Sequence, residues 1–354
     1  MSYIIYKPEV YKATDLLKKL DKKKFKKLNE EEAMLHALSF YSDFYSNKFG
    51  NYLESLAFNC HHFEKKWHDT GKKIIFLSES FVDSILRSKV LNSISNDFNI
   101  IDNLPFDNFI LSVPRHYKIN VSIKDINPSS IDERTSLALQ DVLSKIKHIE
   151  IDSYLISIGS HQESVKSLKE LAKKIKPFDH VQHKESIETD RKLSYQFNAD
   201  NAICLHTLSN DELINLVNSN DYYEYMQERQ GKKFDNASSL EFSEFIRSYY
   251  ALKIITGLAL FNAATQKKLI RKGLPSEIKQ LPLPAQQRTK EVYTFDINNK
   301  TTNRSAHFRK LHYRTLIDER YYKNQYKDMK KGSRIVLVNP SIVGLRTDKA
   351  YTVD

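Results

Sequence analysis

The chain has 354 residues, a formal charge of +11 and 40% hydrophobic residues, with only eight glycines, nine prolines and two cysteines. That composition supports a sizeable core and excludes collagen-like, linker-rich and disulfide-stapled classes. Cys60 and Cys204 form no motif, no apolar run reaches about eighteen residues, and the opening residues lack a basic stretch followed by an apolar one. A cytoplasmic protein without a membrane span, signal peptide or disulfide framework is the expectation.

Charge is concentrated in two segments. Residues 12–27 hold eight lysines against Asp15 and Asp21, and residues 288–334 hold thirteen Lys or Arg against five Asp or Glu. The rest of the chain is close to neutral. Clustered positive charge points to a polyanionic partner more strongly than an evenly basic surface does.

In chain order, residues 10–69 read as helices. Leu16, Leu17 and Leu20 share one face of a basic helix. Asn29 caps a second, with Glu30, Glu31 and Glu32 in its first turn, and Gly50 ends it. A third runs through Leu53, Leu56, Ala57 and Phe63 to Trp67 and stops at the Asp69-Thr-Gly71 turn. Residues 73–77 have strand character, and Ser78 or Ser80 caps a helix holding Phe81, Val82, Ile85 and Leu86. Residues 109–113 form a strand broken by Pro114. Tyr117, Ile119, Val121 and Ile123 alternate with polar residues, the period of a half-buried strand, and 149–158 form another. The short or irregular connections predict antiparallel pairing of neighbours. Helices return over 160–275: one stripe runs from Val165 to Ile175, a second from Leu205 to Val217, and the stretch from Tyr249 to Phe261 is a buried helix. Pro275, Pro282 and Pro284 mark a linker leading to a strand at 291–295, a His/Arg cluster and a strand at 334–338.

The expected fold is therefore α+β: N-terminal helices, a central, mostly antiparallel sheet with packed helices, and a C-terminal basic hairpin-like tail. Three regions follow: a basic helical region 1–70, an α+β core 71–275, and a linker with the basic tail 276–354.

The tail carries the most chemistry. Arg304, His307, Arg309, Lys310, His312, Tyr313 and Arg314 fall within eleven positions. Arginine presents a planar fork that matches phosphate, and Arg304, Arg309 and Arg314 with Lys310 are the candidate nucleic-acid contacts. Phe308, Tyr313, Tyr321 and Tyr322 are interleaved and suited to stacking on unpaired bases, which favours RNA over duplex DNA. His307 and His312 are the candidate catalytic pair for metal-independent RNA cleavage, one as base and one as acid. On a strand they have opposite parity, so they converge only if the chain turns between them. Without carboxylate partners they make no metal site, and no cofactor is expected. On the third helix His61 and His68 share a face with Glu64, and these read as boundary residues. The strands at 109–113 and 117–123 are candidates for adding an extended peptide as an extra strand.

Three stretches resemble a type V-A anti-CRISPR family of phages and mobile elements. The first is Ile75-Phe-Leu-Ser-Glu-Ser-Phe-Val-Asp-Ser-Ile85. The second is Leu104-Pro-Phe-Asp-Asn-Phe-Ile-Leu-Ser-Val-Pro114 with the alternating run after it, similar to the family's F-I-x-L-P strand. The third is Arg304, His307, Arg309 and His312 followed by a basic loop and a Val-rich strand ending in Asn339-Pro340, similar to R-x-H-x-R-R-G-H-W. Leu311, Lys310 and Tyr313 depart from that pattern, standing where glycine, arginine and tryptophan are usual. The resemblance implies a non-enzymatic host-defence evasion protein. Its expected partners are a nascent polypeptide, a Cas12a-like nuclease under synthesis, and the RNA or ribosome that produces it.

Overall fold

A computed structural model describes residues 3–8, 51–86, 94–115, 117–119, 148–150, 153–172, 190–199, 202–218, 239–265, 270–281, 288–295, 308–309, 312–338 and 341–342, with a few isolated positions elsewhere. Lys12, Lys19, Lys23, Glu32 and His36, isolated in the N-terminal region, are all helical, and Lys19 and Lys23 are exposed.

The short strand β1 (Tyr3–Ile4) precedes helix α1 (Asn51–Asp69). Gly71 ends that helix at φ 97°, a left-handed turn that glycine adopts at little cost. Strand β2 (Ile74–Leu77) is buried at every position. Ser78 Oγ then accepts from the Phe81 amide at 3.2 Å and caps α2 (Glu79–Leu86), so the cap expected at Ser78 or Ser80 is Ser78. Strands β3 (Asn108–Pro114), β4 (Lys118–Ile119), β5 (Ile149–Glu150) and β6 (Tyr154–Ser160) follow. After them come α3 (His161–Ala172), β7 (Arg191–Ala199), β8 (Ala202–Leu208), α4 (Asn210–Asn218) and α5 (Ser239–Ala264). The chain closes with β9 (Ile270–Lys272), β10 (Val292–Phe295), β11 (Phe308–Arg309), β12 (His312–Thr315), β13 (Ile335–Val338) and β14 (Ser341–Ile342).

The fold is α+β, built on an eight-stranded mixed sheet in the order β8-β7-β6-β3-β2-β10-β9, with β1 paired to β3. Pairings β2–β3 and β2–β10 are parallel, and the others in the sheet are antiparallel. The neighbours β2 and β3 thus depart from the antiparallel expectation. The link between them includes α2, and a helical crossover is what parallel strands require. The run expected as one strand at 149–158 is two: β5 pairs with β4 in a separate two-stranded sheet, while β6 joins the main sheet.

Helices cover both faces. On one, α2, α4 and α5 build the larger core with Ile75, Leu77, Phe109, Tyr195 and Phe197. On the other, Phe63 and Trp67 of α1 pack with Tyr3, Tyr6, Ile74, Phe76 and Ile110. Helix α5 is buried around most of its circumference from Ile246 to Phe261, as its apolar sequence requires. Strand β10 sits inside the sheet between β2 and β9, and α1 lies against it. The sequence divisions at 70/71 and 275/276 therefore both cross the packing of this one sheet.

Two elements differ from the sequence expectation. The stripe from Leu205 to Val217 divides into β8 and α4, separated by Ser209. That serine and Glu212 form a reciprocal capping box: the Glu212 amide donates to Ser209 Oγ at 3.2 Å and the Ser209 amide donates to Glu212 Oε2 at 2.7 Å. Strand β7 is an addition to the expected elements, although Leu193, Tyr195 and Phe197 alternate with Lys192, Ser194 and Gln196, a period-two signal.

Helices α5 and α2 approach most closely at Gly257, where an added Cβ would overlap Ile85 Cγ2 and lie 2.8 Å from Ile85 Cγ1. Gly257→Ala should overpack this contact and lower stability by about 1–3 kcal/mol. Chemical denaturation of the single variant and of Gly257→Ala combined with Ile85→Ala checks it; the second change should recover part of the loss.

Candidate polyanion-binding hairpin

Strands β12 and β13 form an antiparallel ladder, with His312 opposite Val338, Tyr313 opposite Leu337, Arg314 opposite Val336 and Thr315 opposite Ile335. Strands β11 and β14 pair Phe308 with Ile342 and Arg309 with Ser341. Two residues separate Arg309 from His312 and two separate Val338 from Ser341, so the ladders are in phase. Neither strand carries an inserted residue relative to the other between them. The hairpin rests on α5: Ile335 belongs to the main core, and Leu316, whose amide donates to the Arg334 carbonyl at 2.9 Å across the hairpin, is buried.

The loop from 316 to 334 is held by one phenol. Tyr322 Oη donates to the Leu316 carbonyl at 2.5 Å and accepts from the Gly332 and Arg334 amides at 2.7 and 3.2 Å. It thereby ties the start of the loop to its end. Two short 3-10 turns, Glu319–Tyr321 and Asn324–Tyr326, fill the span, and Asp318 caps the first by accepting from the Arg320 amide at 3.0 Å. Arg334 lies over the Tyr326 ring, its Cζ 3.6 Å from the centroid, and donates to the Tyr321 carbonyl at 2.6 Å. Gly332, at φ 85°, is buried beside Ser95. Lys330 bonds to Asp97, so the loop is fastened to the segment 94–104. That segment is clamped by α4: Asn218 bonds both backbone groups of Ile94, and Asn210 accepts from the Ile100 amide.

These contacts divide the basic residues. Lys331 pairs with Glu319 and holds that carboxyl below its ordinary range; Arg320 pairs with Asp318 at 3.5 Å; Lys330 and Arg334 are spent on the loop's own architecture. Arg314, Lys323 and Lys327 are exposed and form no ion pair among the described residues. Among the described side chains of the hairpin, they are the cations that remain for a ligand.

Of the site residues read from sequence, Arg304, His307 and Lys310 lie outside the described residues. Arg309, His312 and Tyr313 are placed by strand register, and Arg314 is exposed as expected. Of the aromatic residues expected to stack on bases, Tyr321 lies under Arg320, 4.8 Å from its ring centroid, and the Tyr322 hydroxyl is bound to backbone, while Phe308 and Tyr313 are placed by strand register alone. Among the described residues no group of three or more His, Cys, Asp or Glu could hold a metal, and no helix is long and apolar enough to cross a membrane.

The peptide-addition strands also change character. Both edges of β3 are occupied, by β2 and β6, and every residue from Asn108 to Pro114 is buried. It has no free edge along that stretch. Strand β4 is paired to β5, and 120–123 lie outside the described residues.

Of the two α1 histidines expected at the surface or boundary, His68 is half-buried at the boundary and His61 is not. His61, His62 and Glu64 are 3%, 8% and 3% exposed, because α1 is enclosed by the sheet and α3. Glu64 accepts from Tyr6 Oη at 2.9 Å, and Gln196 Nε2 donates to the same hydroxyl at 2.7 Å. Burial, then the neighbouring His62 and Lys65, lowers the pKa of His61 to about 3; burial and Lys66 lower that of His62 to about 4. Cys60, also on α1, is a buried free thiol.

Comparison with family models, with curated proteins and with solved structures finds no match for this chain.

Removing the loop's central hydroxyl tests its role. Tyr322→Phe leaves the buried Gly332 amide without its acceptor, at a cost of about 1–3 kcal/mol. Amide exchange should quicken at 332 and 334 while the amides of β6 and β7 keep their protection. The buried pair His61 and His62 predicts a pH dependence. Both are neutral in the folded chain down to about pH 4, whereas the unfolded chain takes up protons below 6.5. The unfolded state therefore binds more protons in that window, and stability falls as pH drops from 6.5 towards 4. Denaturation midpoints measured across that range should decline, and His62→Gln should flatten the slope.

Proposed function

We propose that this chain is a non-enzymatic, anti-CRISPR-like regulator from a phage or mobile element. It acts in the bacterial cytoplasm, engaging a nascent target polypeptide and the mRNA–ribosome complex that makes it. The result is lowered production of a Cas12a-like defence nuclease. The basic hairpin is the contact with that polyanionic assembly. The observation that carries the reading is the set Arg314, Lys323 and Lys327: exposed and without carboxylate partners among the described residues, Lys323 and Lys327 on a loop braced at both ends by Tyr322 and Arg314 on the strand that leads into it. Phosphate recognition needs cations held in place but not already neutralised, and these three meet that need. The order of segments that resembles the anti-CRISPR family supplies the biological setting.

The test has two arms. Co-expression with a Cas12a-like nuclease should lower both the nuclease and its message, and unchanged levels of both would remove the proposal. In the second arm, the purified chain should bind single-stranded RNA with strong salt dependence. Each of Arg314→Ala, Lys323→Ala and Lys327→Ala should weaken binding across sequences and reduce the salt slope by about 1. Substituting Lys331, which is paired with Glu319, should have a smaller effect.

A further inference from the structure

Arg320 has its charge engaged but most of its plane open. Its Nε pairs with Asp318 Oδ2 at 3.5 Å, its Cζ lies 4.8 Å from the Tyr321 ring centroid, and its side chain is still 64% exposed. Asp318 takes an edge of the guanidinium and Tyr321 one face, so the exposed area includes the opposite face. The group is also held in place. Asp318 accepts from the Arg320 amide at 3.0 Å and caps the turn Glu319–Tyr321. Arg334 donates to the Tyr321 carbonyl at 2.6 Å while it covers the Tyr326 ring.

A flat cation backed by an aromatic ring matches a flat, electron-rich partner. Nucleobases stack on guanidinium planes as they do on aromatic rings. The ring of Tyr321 is therefore not lost to a base by being covered; the stacking surface moves outward, onto Arg320. The surrounding charges fit the rest of a nucleotide strand. Lys323 and Lys327 follow on the same loop and Arg314 precedes it, all exposed and without ion pairs among the described residues. Of the loop's carboxylates, Asp318 and Glu319 are already paired with Arg320 and Lys331, which leaves Asp328 against those three cations. The balance attracts phosphate. Inside a duplex both faces of a base are covered by its neighbours, so this platform takes a base only from an unpaired stretch.

We infer that Arg320, backed by Tyr321, is the base-stacking residue of the hairpin, taking one unpaired nucleotide of a single-stranded RNA while Lys323 and Lys327 hold the flanking phosphates. The inference rests on the proposed contact with RNA and adds the group that tells a base from bare phosphate. Charge alone binds any polyanion, whereas a fixed plane binds only a strand that carries free bases.

The experiment is fluorescence anisotropy on the full chain with four labelled probes of about a dozen units: a single-stranded RNA, an abasic strand of the same length and charge, an RNA duplex and poly-glutamate. The RNA strand should bind about tenfold more tightly than the abasic strand, the scale of one base stacked on a side chain. Arg320→Lys keeps the charge and removes the plane. It should weaken the RNA strand about tenfold, leave its salt slope unchanged and leave the abasic strand, the duplex and poly-glutamate as they were. Lys323→Gln should do the reverse, lowering the salt slope by about 1 on the RNA and abasic strands alike while the preference between them persists. Equal affinity for the RNA and abasic strands, a preference that survives Arg320→Lys, or poly-glutamate bound as tightly as RNA overturns the inference. The first two results leave the RNA contact itself standing, because the strand still binds with its salt dependence. A chain that binds none of the nucleic acids removes the contact and the inference together.

Discussion

The contact between α5 and α2 at Gly257 is the constraint on which the rest of the architecture depends. Ile85 fills the space a side chain at 257 would occupy, so α5 lies close against α2 and its apolar circumference is shared among α2, α4 and the C-terminal hairpin. Burial of apolar surface, at roughly 25 cal/mol per Å², does most to hold such layers together. The hairpin strand β13 reaches the core through Ile335 on this same helix. The basic loop is therefore not a loose tail. Its position is set by a chain of contacts running from the sheet through α5.

A second line of contacts converges on the loop from the other side. Asn210 and Asn218, at the two ends of α4, hold the segment from Ile94 to Ile100 by side-chain bonds to backbone. That segment supplies Asp97 to Lys330 and the Ser95 surface against which Gly332 sits. Backbone groups in an irregular stretch need partners once they leave water, and amide side chains with a donor and an acceptor supply both. The same side chains that satisfy the segment thus anchor the loop.

How much of this is legible in the sequence follows from where each signal resides. Strand β2, its Ser78 cap and helix α2 are readable because apolar run, cap and helical stripe all lie within a dozen residues. Helix α5 is readable because it is apolar all round. Strand β8 mimics a helix because Leu205 and Leu208 fall three apart by coincidence, although Ser209 and Glu212 mark the true helix start. Strand β7 carries a legible alternation at Leu193, Tyr195 and Phe197, but nothing local marks its polar positions Ser194 and Gln196 as buried, at 4% and 0% exposure. Gln196 is buried because it bonds Tyr6 Oη beneath α1, a partner 190 residues away that no local window contains. The same limit applies at the tail. Its charge is plain in the sequence, but the triple role of Tyr322 and the in-phase ladder are not, because both depend on pairing across the hairpin.

Net charge measured along the chain overstates what a ligand would meet. Of the basic residues between 314 and 334, Lys330, Lys331, Arg320 and Arg334 are committed to carboxylates, a carbonyl or a tyrosine ring within the molecule. Those commitments give the loop its shape, and a shaped loop is what allows Lys323 and Lys327, with Arg314 on the adjoining strand, to be presented without collapsing onto neighbouring carboxylates. An unstructured tail of the same composition would attract polyanions but would not select among them, because selectivity requires apolar and charged groups in a fixed relation.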